Sequence, residues 1–364
     1  MNHLKKLGFF SAFIIPSLVV AGYNMGGGWI WLSVVFVFLV IPLIDYLLGL
    51  DTVNTPTAEQ KVVGEEFYYR FVTYVWVFVQ FAFFVWGGWA ISSGGLTSWV
   101  EWSGFTIGFA LVTGGIGITV AHELGHKKSR LERFYSQALL MTVCYMHFYI
   151  EHNRGHHVYV ATPEDPATAR RGESFYRFWF RSVFGGWTHA WRLERVARQR
   201  KGEAVWSLAN PMLLYVFVQT LFIVAFTVGF SMLAGRFLWA LPVFCVVQSV
   251  LAFTLLELVN YVEHYGIQRA LLAPGQYERV NPLHSWNASH LVSNFFLFQL
   301  QRHSDHHYNA IKRYQVLDHY DESPQLPFGY PTMILLALVP PVWFSVMDRK
   351  LAEWQKLQPR FSGG

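Results

Sequence analysis

Six apolar runs set the pattern of this chain, near residues 7–25, 29–50, 71–93, 103–121, 211–234 and 237–262. A helix rises 1.5 Å per residue, so about 20 residues cross roughly 30 Å of hydrocarbon. Each run therefore predicts one membrane-spanning helix, and together they predict a single all-α domain over residues 1–364. Pro16, Pro42 and Pro242 fall inside the predicted spans, where a proline can kink a helix without breaking it. Gly114, Gly115 and Gly117 lie in the fourth run, where small residues let a neighbouring helix come close. The first run follows Lys5 and Lys6, so a secretory leader is the competing reading. Its length and the lack of an Ala-x-Ala site favour a span. Two further apolar stretches read as non-spanning: 134–150 as a helix packed at one membrane face, and 330–346, broken by Pro340 and Pro341, as interfacial or re-entrant.

Charge orients this bundle. With the N-terminus in the cytoplasm, all Lys and Arg except Arg236 fall on the cytoplasmic side, out of 28 in the chain. That is the bias expected of inner loops, and it puts both termini in the cytoplasm. Hydrophobic residues make up 53% and charged residues 14%, against roughly 25% charged in soluble domains. The two cysteines, Cys144 and Cys245, are far apart and build neither a disulfide framework nor a thiolate cluster. No Gly-x-Gly-x-x-Gly fingerprint for a flavin or nicotinamide is present. Electrons for any redox chemistry must then come from another protein. No nucleic-acid partner is expected.

The chemistry lies in the histidines. His122 and His126 stand four apart, as residues on one helix face do. They are followed by His152, His156 and His157, then His264, then His303, His306 and His307. Nine of fifteen histidines thus sit in four groups at the cytoplasmic ends of the fourth and sixth spans. Imidazole suits Zn, Cu, Fe and Ni, and nine ligands are too many for one ion, so two ions are expected. Soluble di-iron bundles need Glu-x-x-His twice, and Glu123-x-x-His126 supplies it once. His122-Glu-x-x-His126 is also the zinc protease signature, with Glu123 as general base, but that reading leaves seven clustered histidines without a role. A metal-storing or metal-transporting protein is a further class; a transporter places polar ligands near mid-bilayer, and these are at one end.

The histidine pattern resembles the membrane fatty acid desaturase and hydroxylase superfamily. Within it the chain is similar to the alkane 1-monooxygenases. The similarity is carried by His122-Glu-Leu-Gly-His-Lys-Lys128, Glu151-His-Asn-Arg-Gly-His-His157, Ala161-Thr-Pro-Glu-Asp-Pro-Ala-Thr168, Asn260-Tyr-Val-Glu-His-Tyr-Gly266 and Leu300-Gln-Arg-His-Ser-Asp-His-His307. The Glu-His-Tyr-Gly group separates this family from the desaturases. The resemblance implies a cytoplasmic, histidine-rich di-iron cap on a six-helix transmembrane bundle in a bacterial inner membrane. It implies terminal hydroxylation of n-alkanes drawn from the membrane lipid. One atom of O2 enters the methyl group and the other leaves as water. Two electrons come from rubredoxin, itself reduced by an NAD(P)H-dependent reductase. Desaturation or hydroxylation of acyl chains, or hydroxylation of aryl methyl groups, is the alternative within the superfamily.

Residues around the groups complete the expectations. Glu123, Glu151, Glu263 and Asp305 each neighbour a clustered histidine, and metal-bound imidazoles usually give their other N–H to such an acceptor. Asn260 precedes His264 by one turn and is expected to face the metals. His284 and His290 are weaker candidates for the same supporting role. His3, His147, His189 and His319 fit no group and read as structural. Nine Lys or Arg crowd residues 170–201 against Glu173 and Glu194. They attract anionic headgroups or steer an acidic electron donor. Val37 lies thirteen residues before Leu50, about 20 Å deeper. The resemblance implies a bulky side chain near that depth that limits alkane length. Val37 is small, so medium-to-long alkanes are expected, with Phe36 and Phe38 pointing elsewhere on the helix.

Overall fold

The computed structural model describes residues 3–361, with side chains for 5–357. Six helices are long and apolar enough to cross a membrane: Lys5–Met25, Gly27–Leu48, Phe67–Ser92, Trp99–Gly125, Pro211–Leu233 and Ala240–His264. These are the six predicted runs, with ends moved by a few residues. The protein is a multi-pass helical membrane protein; beside the helices, the described residues include one short antiparallel hairpin, Leu271–Ala273 with Gln276–Tyr277.

The fourth span is the axis of the bundle, with 89% of its apolar window buried. Gly114 explains how close its neighbour comes. A Cβ there would stand 2.6 Å from both Cα and the carbonyl oxygen of Ala252 on the sixth span. Polar side chains tie the third, fourth and sixth spans and the end of helix Arg130–Met141 together. Gln80 donates to Thr142 at 2.8 Å, Thr113 donates to Gln248 at 3.0 Å, and Gln248 donates to the Thr142 carbonyl at 2.8 Å. Such bonds have no water to compete with inside a bilayer.

Three stretches wind as π-helix: Phe36–Val40, Leu111–Ile118 and His152–His156. Such turns insert a residue and rotate the register of the helix beyond them. Pro42 stands two residues beyond the first of them. Pro242 lies within the span, as expected, and occupies the first turn of Ala240–His264, where its missing N–H costs no helical bond.

Residues 134–150 do not span. Helix Arg130–Met141 ends in a reversal through Cys144 at φ 53°, and the chain re-enters helix at Phe148–Glu151. Residues 330–346 divide into Tyr330–Ala337 and a second helix, Pro340–Phe361. Met333, Ile334 and Ala337 of the first, with Trp343, Met347 and Leu351 of the second, enter a core shared with Leu258, Tyr261 and Val262 of the sixth span. All four histidine groups therefore meet at one end of the bundle.

Candidate metal centre

The nine histidines form two pools. His122, His126, His152, His157 and His306 make one, and His156, His264, His303 and His307 the other; within each, the candidate ligand atoms lie within 4.8 Å of one another. The π-turn at His152–His156 explains how one motif feeds both. The His157 N–H bonds the His152 carbonyl, five residues back, so His152 and His157 share a face and His156 turns away. In the helix His303–Tyr308, His303 and His307 are four apart and join one pool, while His306, one residue round the helix, enters the other. Gly155 is required here: a Cβ would meet Glu151 Oε1 at 2.8 Å and His189 Cε1 at 2.9 Å.

The Nε2 atoms converge. In the five-histidine pool His152 stands 3.0 Å from His126 and 3.1 Å from His157, and His306 lies 3.0 Å from His157. In the four-histidine pool His303 stands 3.2 Å from His264 and 2.9 Å from His307, and His156 lies 3.2 Å from His307. The pools touch, with the His157 and His307 ring centroids 4.4 Å apart. Burial first, then the neighbouring imidazoles, holds the pKa of His126, His152, His157, His303, His306 and His307 well below the usual histidine value. Burial thus favours neutral imidazoles, and their Nε2 atoms crowd into two shared spaces that a cation would fit. The residues fit such a cation. Ligands at about 2.1 Å and 90° to one another stand about 3.0 Å apart, the spacing seen here.

His156 differs from the others. Its Nδ1 lies 2.9 Å from Asp165 Oδ2, which also accepts from Thr168 Oγ1 at 2.6 Å. Burial alone lowers the His156 pKa, but the Asp165 carboxylate turns the net direction upward. The expected supporting residues behave otherwise. Glu263 does touch the cluster, with Oε2 3.1 Å from His303 Nε2 and Oε1 accepting from Tyr330 at 2.6 Å. Glu123 instead pairs with Lys127 at 3.0 Å, Glu151 lies 3.2 Å from His189, and Asn260 donates to Glu257 at 3.3 Å. Asp305 binds Lys312 at 2.7 Å and Tyr320 at 3.0 Å. The reason is geometric: the neighbour of a helical ligand projects about 100° away from it. Supporting groups come from segments that cross the site. With Glu123 held by Lys127 and five donors in its pool, the zinc protease arrangement is absent. His284 lies against Glu278 and His290 stands outside both pools. His147 is buried beside Tyr145 and Trp187, its pKa pushed down by burial to about 3. His319 contacts Ser289 and Asp321, and the His3 side chain lies outside the described residues.

An apolar cavity of about 920 Å³, counting its open part, runs between the second, fourth and sixth spans and Tyr330–Ala337. Its inner end is walled by His122, His152 and His303, and Val37 lines it farther out. Phe38 lines it too, contrary to the expectation that it points elsewhere, because the π-turn at Phe36–Val40 re-aims this helix face. Phe36 packs on Phe296 at 5.8 Å between centroids.

Six spans capped at one end by two pools of imidazole define a membrane-embedded, histidine-rich metal-site protein. Residues 96–337 match the fatty acid desaturase family. The chain is 43% identical over 358 residues to alkane 1-monooxygenase 2 of Pseudomonas aeruginosa, covering 96% of this chain and 93% of that protein. It is 38% identical to alkane 1-monooxygenase 2 of Alcanivorax borkumensis, over 96% of this chain and 92% of the relative. The xylene/toluene monooxygenase hydroxylase component of Pseudomonas putida is 26% identical over 97% of this chain and 91% of its own length. The chain belongs to the fatty acid desaturase family and, within it, to the alkane 1-monooxygenases, which are oxidoreductases.

Sequence reasoning missed Asp165, Thr168, Tyr330 and Glu257. Asp165 and Thr168 stand in the Ala161–Thr168 stretch, next to two prolines. Glu257 had a legible signal of its own, an acid inside a span seven residues before His264.

Proposed function

We propose that this protein hydroxylates the terminal methyl group of n-alkanes with O2 at a non-haem di-iron centre held by the nine pooled histidines. The observation that carries this reading is the apolar cavity that starts among membrane-spanning helices and ends on His122, His152 and His303. Alkanes dissolve in the bilayer, and a cavity with no charged group at its outer end suits a chain without a headgroup. Iron is favoured over zinc because structural zinc takes four tetrahedral ligands, whereas one pool offers five donors spaced for right angles. When bound, iron supplies the oxygen chemistry that no side chain here performs. The chain's own residues hold the centre and aim the methyl group. Asp165 keeps the His156 proton on Nδ1, leaving Nε2 free for the metal. Glu263 is steadied by Tyr330 at the cavity end.

The two electrons come from rubredoxin, reduced by its NAD(P)H-dependent reductase. Clustering of Lys and Arg at the histidine end supports an inner-membrane orientation with that end in the cytoplasm, where a soluble acidic donor reaches it. The test is incubation of purified, iron-loaded enzyme with an n-alkane series, O2 and reduced rubredoxin, followed by product analysis. 1-Alkanols are expected; unsaturated acyl products or benzylic alcohols in their place would assign the alternative substrate class.

A further inference from the structure

Glu257 is an ionisable residue inside a spanning helix, 3% exposed, two turns before His264 on the same face. Tyr145 donates to its Oε1 at 2.8 Å, and Ser182 at 2.5 Å and Asn260 at 3.3 Å donate to its Oε2. Two hydroxyls and an amide make up this set, and no Lys or Arg pairs with the carboxyl group among the described residues. A buried acid within the membrane that serves no ion pair is costly and marks a functional path.

Beside it lies a second, small void of about 260 Å³, counting its open part and the gaps between atoms, walled by Tyr145, Glu151, Ser182, Gly186, Glu257 and Asn260 among others. Its lining is part polar and part apolar, with room for about one water beside the carboxyl, hydroxyl and amide groups. On one side Phe148 and Asn260 also wall the apolar cavity, next to His122 and His152. On the other, Glu151 Oε1 lies 3.2 Å from His189 Nδ1. His189 in turn lines a surface cleft with Arg170, Thr188 and Arg192. Hydrogen-bonding groups therefore run from the surface to the edge of the histidine pools, apart from the apolar route.

We propose that this polar passage, with Glu257 at its inner end, delivers protons from the cytoplasmic face to the metal centre. This rests on the hydroxylation reading above, whose balance is R–CH3 + O2 + 2 e⁻ + 2 H⁺ → R–CH2OH + H2O. The O–O bond and one C–H bond break, and a C–O bond forms. The donor gives the electrons, and the protons leave in the water molecule. An apolar cavity conducts no protons, and the polar groups described here lead to the pools apart from it. Glu257 touches neither substrate nor metal and acts through the hydrogen-bonded chain, whose protons its carboxyl group takes up and passes on.

The test uses iron-loaded enzyme with rubredoxin as donor. Glu257→Gln keeps the shape and the helix-bridging bonds, and a merely structural role tolerates it. The proposal expects kcat to fall about 100-fold, the loss typical of a removed proton-transfer group. Hydrogen peroxide released per O2 consumed rises, while KM for the alkane and iron content stay unchanged. Glu257→Asp recovers part of the rate. Gly186→Val plugs the cavity: a Cβ at Gly186 meets only Glu151 Cγ, at an ordinary 3.7 Å. It uncouples turnover in the same way. A readout independent of activity is radiolytic footprinting, in which hydroxyl radicals born from bound water mark the side chain beside it. Buried Tyr145 is marked in the wild type and spared in Gly186→Val. Wild-type rate and coupling in Glu257→Gln with its iron retained, or an unmarked Tyr145 in the wild type, overturns the proposal. If Glu257→Gln loses iron, Gly186→Val decides: full coupling with Tyr145 spared refutes the passage, and uncoupling upholds it. Failure of the wild type to form any alkanol refutes the reaction instead, and leaves the footprint to report on the passage.

Discussion

Replacing Asp165 with Asn isolates one hydrogen bond at the metal centre. Asp165 is 1% exposed and spends its oxygens on three donors. Oδ1 accepts the Ala167 N–H at 3.0 Å; Oδ2 accepts Thr168 Oγ1 at 2.6 Å and lies 2.9 Å from His156 Nδ1. In the Asp165→Asn variant the carbonyl oxygen keeps the Ala167 bond, so the amide NH2 turns to His156. A donor now faces Nδ1, the imidazole must accept there, and its proton moves to Nε2. That atom then cannot bind metal, and the four-histidine pool drops to three ligands. Loss of such an outer hydrogen bond costs 10–100-fold in metal affinity, or about 1.4–2.8 kcal/mol. The assay is competition with a graded chelator, reading iron per chain. The variant is expected to shed about half its iron at a chelator level where the wild type keeps all of it. Thr168→Val, which removes a hydroxyl and leaves His156 untouched, serves as the control and stays near wild type. A chelator curve for Asp165→Asn that overlays the wild type refutes the tautomer argument.

Other perturbations rest on the same geometry. Val37→Trp narrows the cavity about 16 Å before the span end at Leu48 and is expected to shift products toward shorter alkanols; an unchanged distribution over a mixed alkane series rules Val37 out as a length gauge. Gly114→Leu drives a side chain into the Ala252 backbone and should cost about 1–3 kcal/mol, read as a lowered Tm of the detergent-solubilised protein. His264→Ala should deplete one metal and leave the five-histidine pool loaded, whereas His306→Ala does the reverse; equal loss of both metals in each variant contradicts the two-pool division. Burial raises the Glu173 pKa, but bonds from Arg181 at 2.6 and 2.9 Å bring it below the ordinary value. Its stabilisation is therefore complete above the unfolded value of about 4.3 and lost as pH falls through the depressed folded value. The Tm gap between wild type and Glu173→Gln should be clear at neutral pH and close in acid; a gap that persists unchanged in acid rejects the ion pair as its cause.

Local physics carried much of this protein into its linear sequence. A span needs only enough consecutive apolar residues to cover hydrocarbon, so all six were readable, as was the interruption at Pro340–Pro341. The histidine groups were readable because helical spacing alone puts residues three and four apart within reach of one ion. The arrangement inside the site was not. His152 and His156 sit at the α-helical interval, yet a π-turn separates them and joins His152 to His157. One inserted residue in a helix costs little and leaves no clear compositional mark. Supporting groups were the other failure: Glu123, Glu151 and Asp305 are adjacent in sequence to ligands and point away from them. Asp165 and Tyr330 reach His156 and Glu263 from separate segments. A hydrogen bond between segments depends on how helices cross and which face each buries, and those are properties of the packed bundle. Sequence thus determined which helices are apolar enough to cross a membrane and which histidines cluster as candidate metal ligands. Only tertiary packing decided how nine imidazoles divide into two pools, and that an apolar cavity and a partly polar one meet at Asn260.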